Sequence, residues 1–113
     1  MKYILLIYGD EKVWQSMSRA EMEKMYAEHG AYGEAMTKAG IMRGGSELKP
    51  VSTATTVRFT GGKPTTLDGP FAETKEQLAG YYVIETDNLE SALEWAAKMP
   101  GMISGAVEVR PLT

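Results

Sequence analysis

The sequence predicts an α+β domain in which two helices cover one face of an antiparallel β-sheet. Short apolar or alternating segments are typical of strands, two longer segments have helical spacing, and Gly61-Gly62 marks a tight turn between two strands. The order of elements is β-α-β-(hairpin)-β-α-β, which is the split βαβ arrangement of ferredoxin-like folds. We expect residues 1–113 to form a single domain.

The composition excludes several classes of protein. Hydrophobic residues make up 43% and charged residues 24% of the 113, as in globular rather than disordered chains. The net charge is -3 and the 12 basic residues are scattered, so no nucleic-acid partner is expected. The longest apolar run, Tyr3 to Tyr8, is too short to cross a membrane and precedes no cleavage site. A cytoplasmic location without membrane contact is therefore expected.

Six strands are predicted from hydrophobic runs and from alternation. They are Tyr3–Tyr8, Ile41–Leu48, Thr55–Thr60, Lys63–Leu67, Gly80–Glu85 and Ala106–Arg110. The second contains Gly44-Gly45, where we expect a bulge or a close approach of another backbone. The fourth contains Pro64, which cannot donate a ladder hydrogen bond and so belongs at an edge.

The first predicted helix runs from about Arg19 to Ala39. Ser18 and Glu21 have the spacing of a capping box at its start, and Gly40 is the residue type that ends helices in the left-handed conformation. Its buried face is formed by Met22, Met25, Tyr26, His29, Tyr32, Gly33, Met36 and Ala39.

The second predicted helix has its own start and stop signals. Asp87 and Glu90 have capping-box spacing, and Pro100 ends the helical pattern. Residues 11–17, which precede the first helix, are expected to form a connecting loop that Trp14 holds against the domain.

The sheet is predicted to have apolar side chains on both faces. In the first strand Tyr3, Leu5 and Ile7 alternate with Ile4, Leu6 and Tyr8, and in the strand Gly80–Glu85 Tyr81 and Val83 alternate with Tyr82 and Ile84. Whichever set of each strand faces the helices, the other set leaves apolar side chains on the open face. Two helices cover only one face, and burying a large apolar side chain is worth about 1.5–3 kcal/mol. We therefore expect a two-fold homodimer with the open faces packed together. The alternative is a monomer in which residues 41–67 fold back over the open face.

One segment, Asp68-Gly69-Pro70-Phe71-Ala72-Glu73-Thr74-Lys75-Glu76, closely resembles the signature of the DGPF-domain, YCII-related family. Concordant flanking segments extend the resemblance over most of the chain: Met1 to Gly9, Gly80 to Ile84, Glu94 to Ala97 and Gly105 to Pro111. The resemblance implies the dimeric α+β-barrel version of the ferredoxin-like fold. It implies little about function, because the family is largely uncharacterised.

The resemblance also suggests partners and a site residue. Family members often look like partners of extracytoplasmic-function sigma factors, and fold relatives include isomerases, monooxygenases and haem proteins. In the YCII branch a histidine of the first helix lies eleven residues before a glycine, and His29 has that spacing from Gly40. Some members add an aspartate two residues before the glycine as the histidine's partner, but this chain has Lys38 there.

His29 and Asp68 are the candidate catalytic residues. His29, the one histidine, is either a neutral core residue bonded to a carbonyl or a tyrosine, or a general acid and base at a pocket. Asp68 either accepts a backbone N–H in an Asx-turn or contributes a carboxylate to that pocket. We predict that His29 borders a cavity and lies within reach of residues 68–76, with Asp68 as its partner.

Other side chains are candidates for binding a ligand. They are Arg58, Phe71, Glu73, Lys75, Tyr82 and Arg110. An arginine can bind a carboxylate or phosphate through its planar guanidinium, although pairing with a nearby acid such as Glu108 is the alternative for both arginines. Glu73 and Lys75 are otherwise solvated loop residues. No metal ligand set can be formed from one histidine without cysteine, and no cofactor is expected.

Two functions therefore remain open at the level of sequence. The first is a protein that binds, and as an acid/base enzyme converts, a small polar metabolite. The second is a non-catalytic regulatory or accessory protein of a sigma-factor system. A cavity with convergent polar side chains favours the first function.

Overall fold

The computed structural model describes residues 1–113. In chain order its elements are β1 (Lys2–Gly9), α1 (Glu11–Gln15), α2 (Arg19–Lys38), β2 (Met42–Glu47), β3 (Thr55–Thr60), β4 (Lys63–Asp68), β5 (Gln77–Glu85), α3 (Leu89–Ala97) and β6 (Ala106–Pro111). A single 3-10 turn at Val51–Thr53 precedes β3.

Four strands form an antiparallel sheet in the order β2-β5-β1-β6. The first strand is central, so Leu5 faces Tyr82 of β5 on one side and Val109 of β6 on the other. This order confirms the predicted ferredoxin-like arrangement. The sheet is not closed into a barrel within one chain, and β3 and β4 form a separate two-stranded sheet.

The core lies between the helices and one face of the sheet. Alternate residues of β1 point to this face, which buries Tyr3, Leu5 and Ile7. They pack with residues of α2, β5, α3 and the loop after α3, and the whole buried set is Tyr3, Leu5, Ile7, Tyr32, Met36, Ile84, Ala92 and Met99. The helices therefore pack on the face of the sheet to which Tyr3, Leu5 and Ile7 point.

The opposite face of the sheet is only partly covered. Its apolar side chains are Ile4, Leu6, Tyr8, Tyr81 and Val83, and each remains partly accessible to solvent. The β3–β4 hairpin does not cover them, because it makes no extensive contact with another element and all of its residues except Thr56 are exposed. The folded-back arrangement of residues 41–67 is therefore not what the chain adopts.

The signals at the start and end of α2 were correctly predicted. The Ser18 hydroxyl accepts a hydrogen bond from the Glu21 N–H, and the Glu21 carboxylate accepts one from the Ser18 N–H, each at 3.1 Å. Gly40 follows the helix with a φ of 73°, the left-handed geometry that a residue without Cβ adopts at little cost.

Residues 11–17 were predicted as a loop, and this prediction was wrong for their first part. Asp10 caps α1, its carboxylate accepting the Lys12 N–H at 2.9 Å. A five-residue helix is too short to show helical periodicity, which explains the error. Trp14 does hold this segment to the domain, because its indole lies directly over Gly9.

The predicted cap of the second helix was also wrong by one residue. The N-cap of α3 is Asn88, whose side chain accepts the Ser91 N–H at 2.9 Å. Asp87 and Asn88 are both favourable capping residues, and sequence spacing alone does not decide between adjacent candidates.

Two irregular features lie where glycines predicted them, whereas the register shift between Ile7 and Tyr8 in the pairing of β1 with β5 was not predicted. The pairing of β2 with β5 shifts register between Met42 and Gly44, which is the expected bulge. Gly61 and Gly62 connect β3 and β4 with φ values of 59° and 78°, as a primed two-residue hairpin turn requires.

Candidate functional site

A cavity of 580 Å³ opens between α2, the β2–β5 edge of the sheet, α1 and the loop after α3. It has 21 lining residues, of which 11 are hydrophobic. Side chains reach it from every one of these elements, including Trp14, Met25, Tyr26, His29, Met42, Glu47, Tyr82 and Met102. Its size and largely apolar wall are those of sites that bind small organic molecules.

His29 and Tyr82 form a hydrogen-bonded pair in the wall of this cavity. The His29 Nδ1 atom lies 2.9 Å from the Tyr82 hydroxyl, and the two rings are nearly parallel, with an interplanar angle of 14°. Tyr32 packs edge-on against Tyr82 at a centroid distance of 5.5 Å, and its own hydroxyl donates to the Trp95 carbonyl at 2.6 Å. The position of Tyr82 is thus fixed by a buried neighbour.

Burial keeps both members of the pair uncharged at neutral pH. It lowers the pKa of His29 because the imidazolium loses hydration. The carboxylates of Glu47 and Glu28 and the Pro100 backbone oppose this shift without reversing it. Burial likewise raises the pKa of Tyr82, so its phenol stays protonated.

The neutral pair can exist as either of two tautomers. With the proton on Nε2, that N–H is directed to the Pro100 backbone carbonyl and Nδ1 accepts the Tyr82 hydroxyl; with the proton on Nδ1, the ring donates to Tyr82 and Nε2 carries the lone pair. Nε2 lies on the side of Gly101, where an added Cβ would stand 3.6 Å from it. The pair can therefore present a base or a proton donor, as general acid–base catalysis requires.

Two carboxylates also line the cavity. The Tyr26 hydroxyl donates to Glu47 Oε1 at 3.0 Å, and this bond is the main reason that the pKa of Tyr26 is raised. Glu11 Oε2 accepts the Val51 N–H at 2.9 Å. No lysine or arginine is among the lining residues.

The YCII-related domain model matches residues 1–113, the whole of the chain. The chain belongs to the YCII-related family. An uncharacterised protein of Rhizobium meliloti (strain 1021) is 38% identical over 114 residues, which cover 99% of this chain and 92% of that protein.

In this YCII-related domain the hydrogen-bond partner of His29 is Tyr82 and not the aspartate that we expected. Lys38, which replaces the aspartate of some members, is exposed and lies 3.7 Å from Glu34 on the same helix. Asp68, the predicted alternative, stands exposed at the end of β4, and none of residues 68–76 lines the cavity. Within one chain, Tyr82 takes the place that we expected a carboxylate to take.

The segment of residues 68–76 is held through its backbone carbonyls rather than through the Asp68 carboxylate. The Thr56 hydroxyl donates to the Gly69 carbonyl at 2.7 Å, and Arg58 donates to the Phe71 carbonyl at 3.1 Å. The Asp68 carboxylate takes part in no Asx-turn, since the residue two positions on is Pro70, which has no N–H to donate. The structure therefore uses Arg58 to fix a loop, and leaves Phe71 75% exposed.

The remaining predicted binding residues lie outside the cavity. Glu73 is exposed, and Lys75 borders a separate polar depression of 270 Å³. Arg110 pairs with Glu108 at 2.5 Å, as its alternative interpretation predicted. Of the candidate ligand-binding set, the structure brings only Tyr82 together with His29.

Sequence reasoning missed several residues of the cavity. Trp14 was predicted only as an anchor, and Glu47, Met42 and Met102 were not singled out. Sequence carried a signal for one cavity residue besides His29, because helical spacing places Tyr26 one turn before His29 on the same face of the helix. The others come from distant segments whose meeting depends on the tertiary fold.

Two further classes of site are not found in the chain. No helix combines the length and the apolar character needed to cross a membrane. No group of three or more histidine, cysteine, aspartate or glutamate residues is arranged to hold a metal ion.

Proposed function

We propose that the protein binds a small organic molecule in the 580 Å³ cavity and that His29 and Tyr82 exchange a proton with it. The observation that carries this proposal is the 2.9 Å hydrogen bond between His29 and Tyr82 in the cavity wall. A neutral histidine beside a neutral phenol is able to accept a proton at Nε2 while Nδ1 stays hydrogen-bonded to the phenol hydroxyl.

The chemistry suited to such a pair is proton transfer without a cofactor. With Nδ1–H donating to Tyr82, the Nε2 lone pair removes a proton from a bound molecule, and the imidazolium then returns it to another atom. Partial burial of the pair strengthens these interactions, because the local dielectric is lower than in bulk solvent. Asp68 has no place in this step within one chain, and it joins the site only if a second copy supplies it.

The working form that we propose is a cytoplasmic homodimer. It is supported by the open face of the sheet, where Ile4, Leu6 and Val83 remain partly accessible on a contiguous surface. Packing two such faces together removes both from water at once and gives an isologous interface.

A non-catalytic accessory function is favoured by a different observation. The β3–β4 hairpin and the segment of residues 68–76 present Phe59 and Phe71 with exposed fractions of 72% and 75%. An exposed apolar surface of this kind is able to bind another protein. A sigma factor is the partner class that the family resemblance suggests for this second function.

A thermal-shift screen with a metabolite library separates the two functions. Leu48→Trp enlarges a residue that lines the cavity, and Leu93→Trp makes the same change on the outer side of α3, with similar initial exposure. Ligands that stabilise the wild type and the Leu93 variant but not the Leu48 variant support binding in the cavity. The absence of any such ligand, or equal stabilisation of both variants, would refute it.

A further inference from the structure

The electrostatic character of the cavity restricts the kind of molecule that it can hold. Glu11 and Glu47 line it, and no lysine or arginine does. The one basic side chain in the wall is His29, and burial keeps its imidazole neutral at pH 7. The cavity therefore has a net negative charge.

Neither carboxylate is neutralised by the protein. The five ion pairs of the chain involve other acids: Glu23, Glu28, Glu34, Glu85 and Glu108. Glu47 accepts a phenol hydroxyl and Glu11 a backbone N–H, both of which are uncharged donors. A carboxylate offers about four lone-pair sites, so each retains acceptor capacity for a ligand.

The rest of the wall suits a cation attached to an apolar body. Three aromatic side chains on the helix side of the sheet line it: Trp14, Tyr26 and Tyr82. The faces of such rings attract ammonium groups, and the attraction grows when the cation loses water. Met22, Met25, Met42 and Met102 supply a flexible apolar surface that adapts to ligands of irregular shape.

We infer that the ligand is an organic amine with an apolar body, whose ammonium group pairs with Glu47 and packs on the neighbouring aromatic rings. This inference rests on the proposed function, because it names the chemical class of the molecule that occupies the same cavity. It differs from the small polar metabolite expected from sequence in requiring a larger apolar part. It also excludes carboxylates and phosphates, which would meet two unpaired negative charges.

Three probes that share one apolar body test the inference. They are 4-phenylbutylamine, 4-phenylbutanol and 4-phenylbutanoate, titrated by NMR against the wild-type protein at low ionic strength. We expect the amine to bind roughly tenfold more tightly than the alcohol, from a partly screened charge pair, and the carboxylate to bind most weakly. Added salt should reduce the preference for the amine.

A charge-removing variant shows which residue sets the preference. Glu47→Gln keeps the size of the side chain and should reduce the preference for the amine over the alcohol severalfold. Glu94→Gln, an exposed position of α3 outside the cavity, makes the same change in net charge and should leave the preference unchanged. A preference that survives in Glu47→Gln would overturn the inference.

The remaining outcomes separate this inference from the proposed function. If the alcohol or the carboxylate binds as tightly as the amine, the inference is overturned while binding in the cavity stands. A second outcome leads to the same conclusion: none of the three probes binds, but an uncharged or anionic compound stabilises the wild type and not Leu48→Trp. The amine inference is then overturned, and binding in the cavity stands. If no compound gives such stabilisation, both fail.

Discussion

The Nδ1 atom of His29 lies 2.9 Å from the hydroxyl oxygen of Tyr82, so a side chain of α2 and a side chain of β5 meet across the cavity wall. The two residues are 53 positions apart in sequence. The contact links the helical layer to the sheet at the point where the candidate chemistry would occur.

Removal of the Tyr82 hydroxyl should destabilise the fold by a small, measurable amount. Tyr82→Phe keeps the edge-on packing against Tyr32 but leaves a half-buried His29 nitrogen without its partner. We expect the free energy of unfolding to fall by about 0.5–1.5 kcal/mol, measured by urea denaturation. Tyr81→Phe is the control, because its hydroxyl makes no side-chain hydrogen bond, and an equal loss in both variants would contradict the assignment.

His29 should titrate below the ordinary histidine value of about 6.5, because burial disfavours its charged form. It is the one histidine, so its imidazole signals are unambiguous in an NMR titration. A midpoint at or above about 6.5 in the folded protein would show that burial does not control the ring.

The same shift gives a stability that depends on pH. Since the unfolded chain binds the His29 proton more tightly than the folded one, this contribution is present above about pH 6.5 and is lost as the pH falls through the folded pKa. His29→Gln should therefore have a flatter stability profile than the wild type between about pH 7.5 and 5.5. Parallel profiles over that range would rule out the linkage.

These contacts show how far sequence patterns predict the site. The capping box of Ser18 and Glu21 and the hairpin at Gly61-Gly62 depend on neighbouring residues, so local spacing was sufficient to find them. The five-residue α1 and the Asn88 cap were missed because short helices and adjacent capping residues leave weak local signals.

The candidate site was predictable only in part. Helical spacing placed His29 correctly on the inner face of α2, and the cavity beside it was expected. Its partner was not, because Tyr82 and Asp68 are both distant in sequence and only the register of β5 beside β1 brings Tyr82 under the helix. Pattern analysis does not measure such register.

Gly9 should tolerate no larger side chain. A Cβ at this position would lie 2.4 Å from Cη2 of Trp14, so Gly9→Ala must displace the indole that anchors α1. We expect a loss of about 1–3 kcal/mol in unfolding free energy. Gly30→Ala is the matched control: Gly30 lies in α2 with no atom within 4 Å of an added Cβ, and alanine should stabilise that helix. Equal effects at both positions would contradict the close contact.

The open face of the sheet should hold two chains together. Light scattering at micromolar concentration is expected to give twice the chain mass of 12.4 kDa. Leu6→Lys places a charge in the middle of this face and should produce monomers, whereas Leu93→Lys on the surface of α3 should not. A wild-type mass of one chain would exclude this dimer.

The most direct test of binding at the His29–Tyr82 pair is an NMR titration of the His29 imidazole with the strongest compound from the thermal-shift screen. The expected result is a saturable shift of the His29 ring signals, with the same midpoint as the thermal stabilisation and with loss of the shift in Leu48→Trp. Saturable binding that leaves the His29 signals unchanged, while perturbing only the β3–β4 hairpin or the open face of the sheet, would contradict the proposed site.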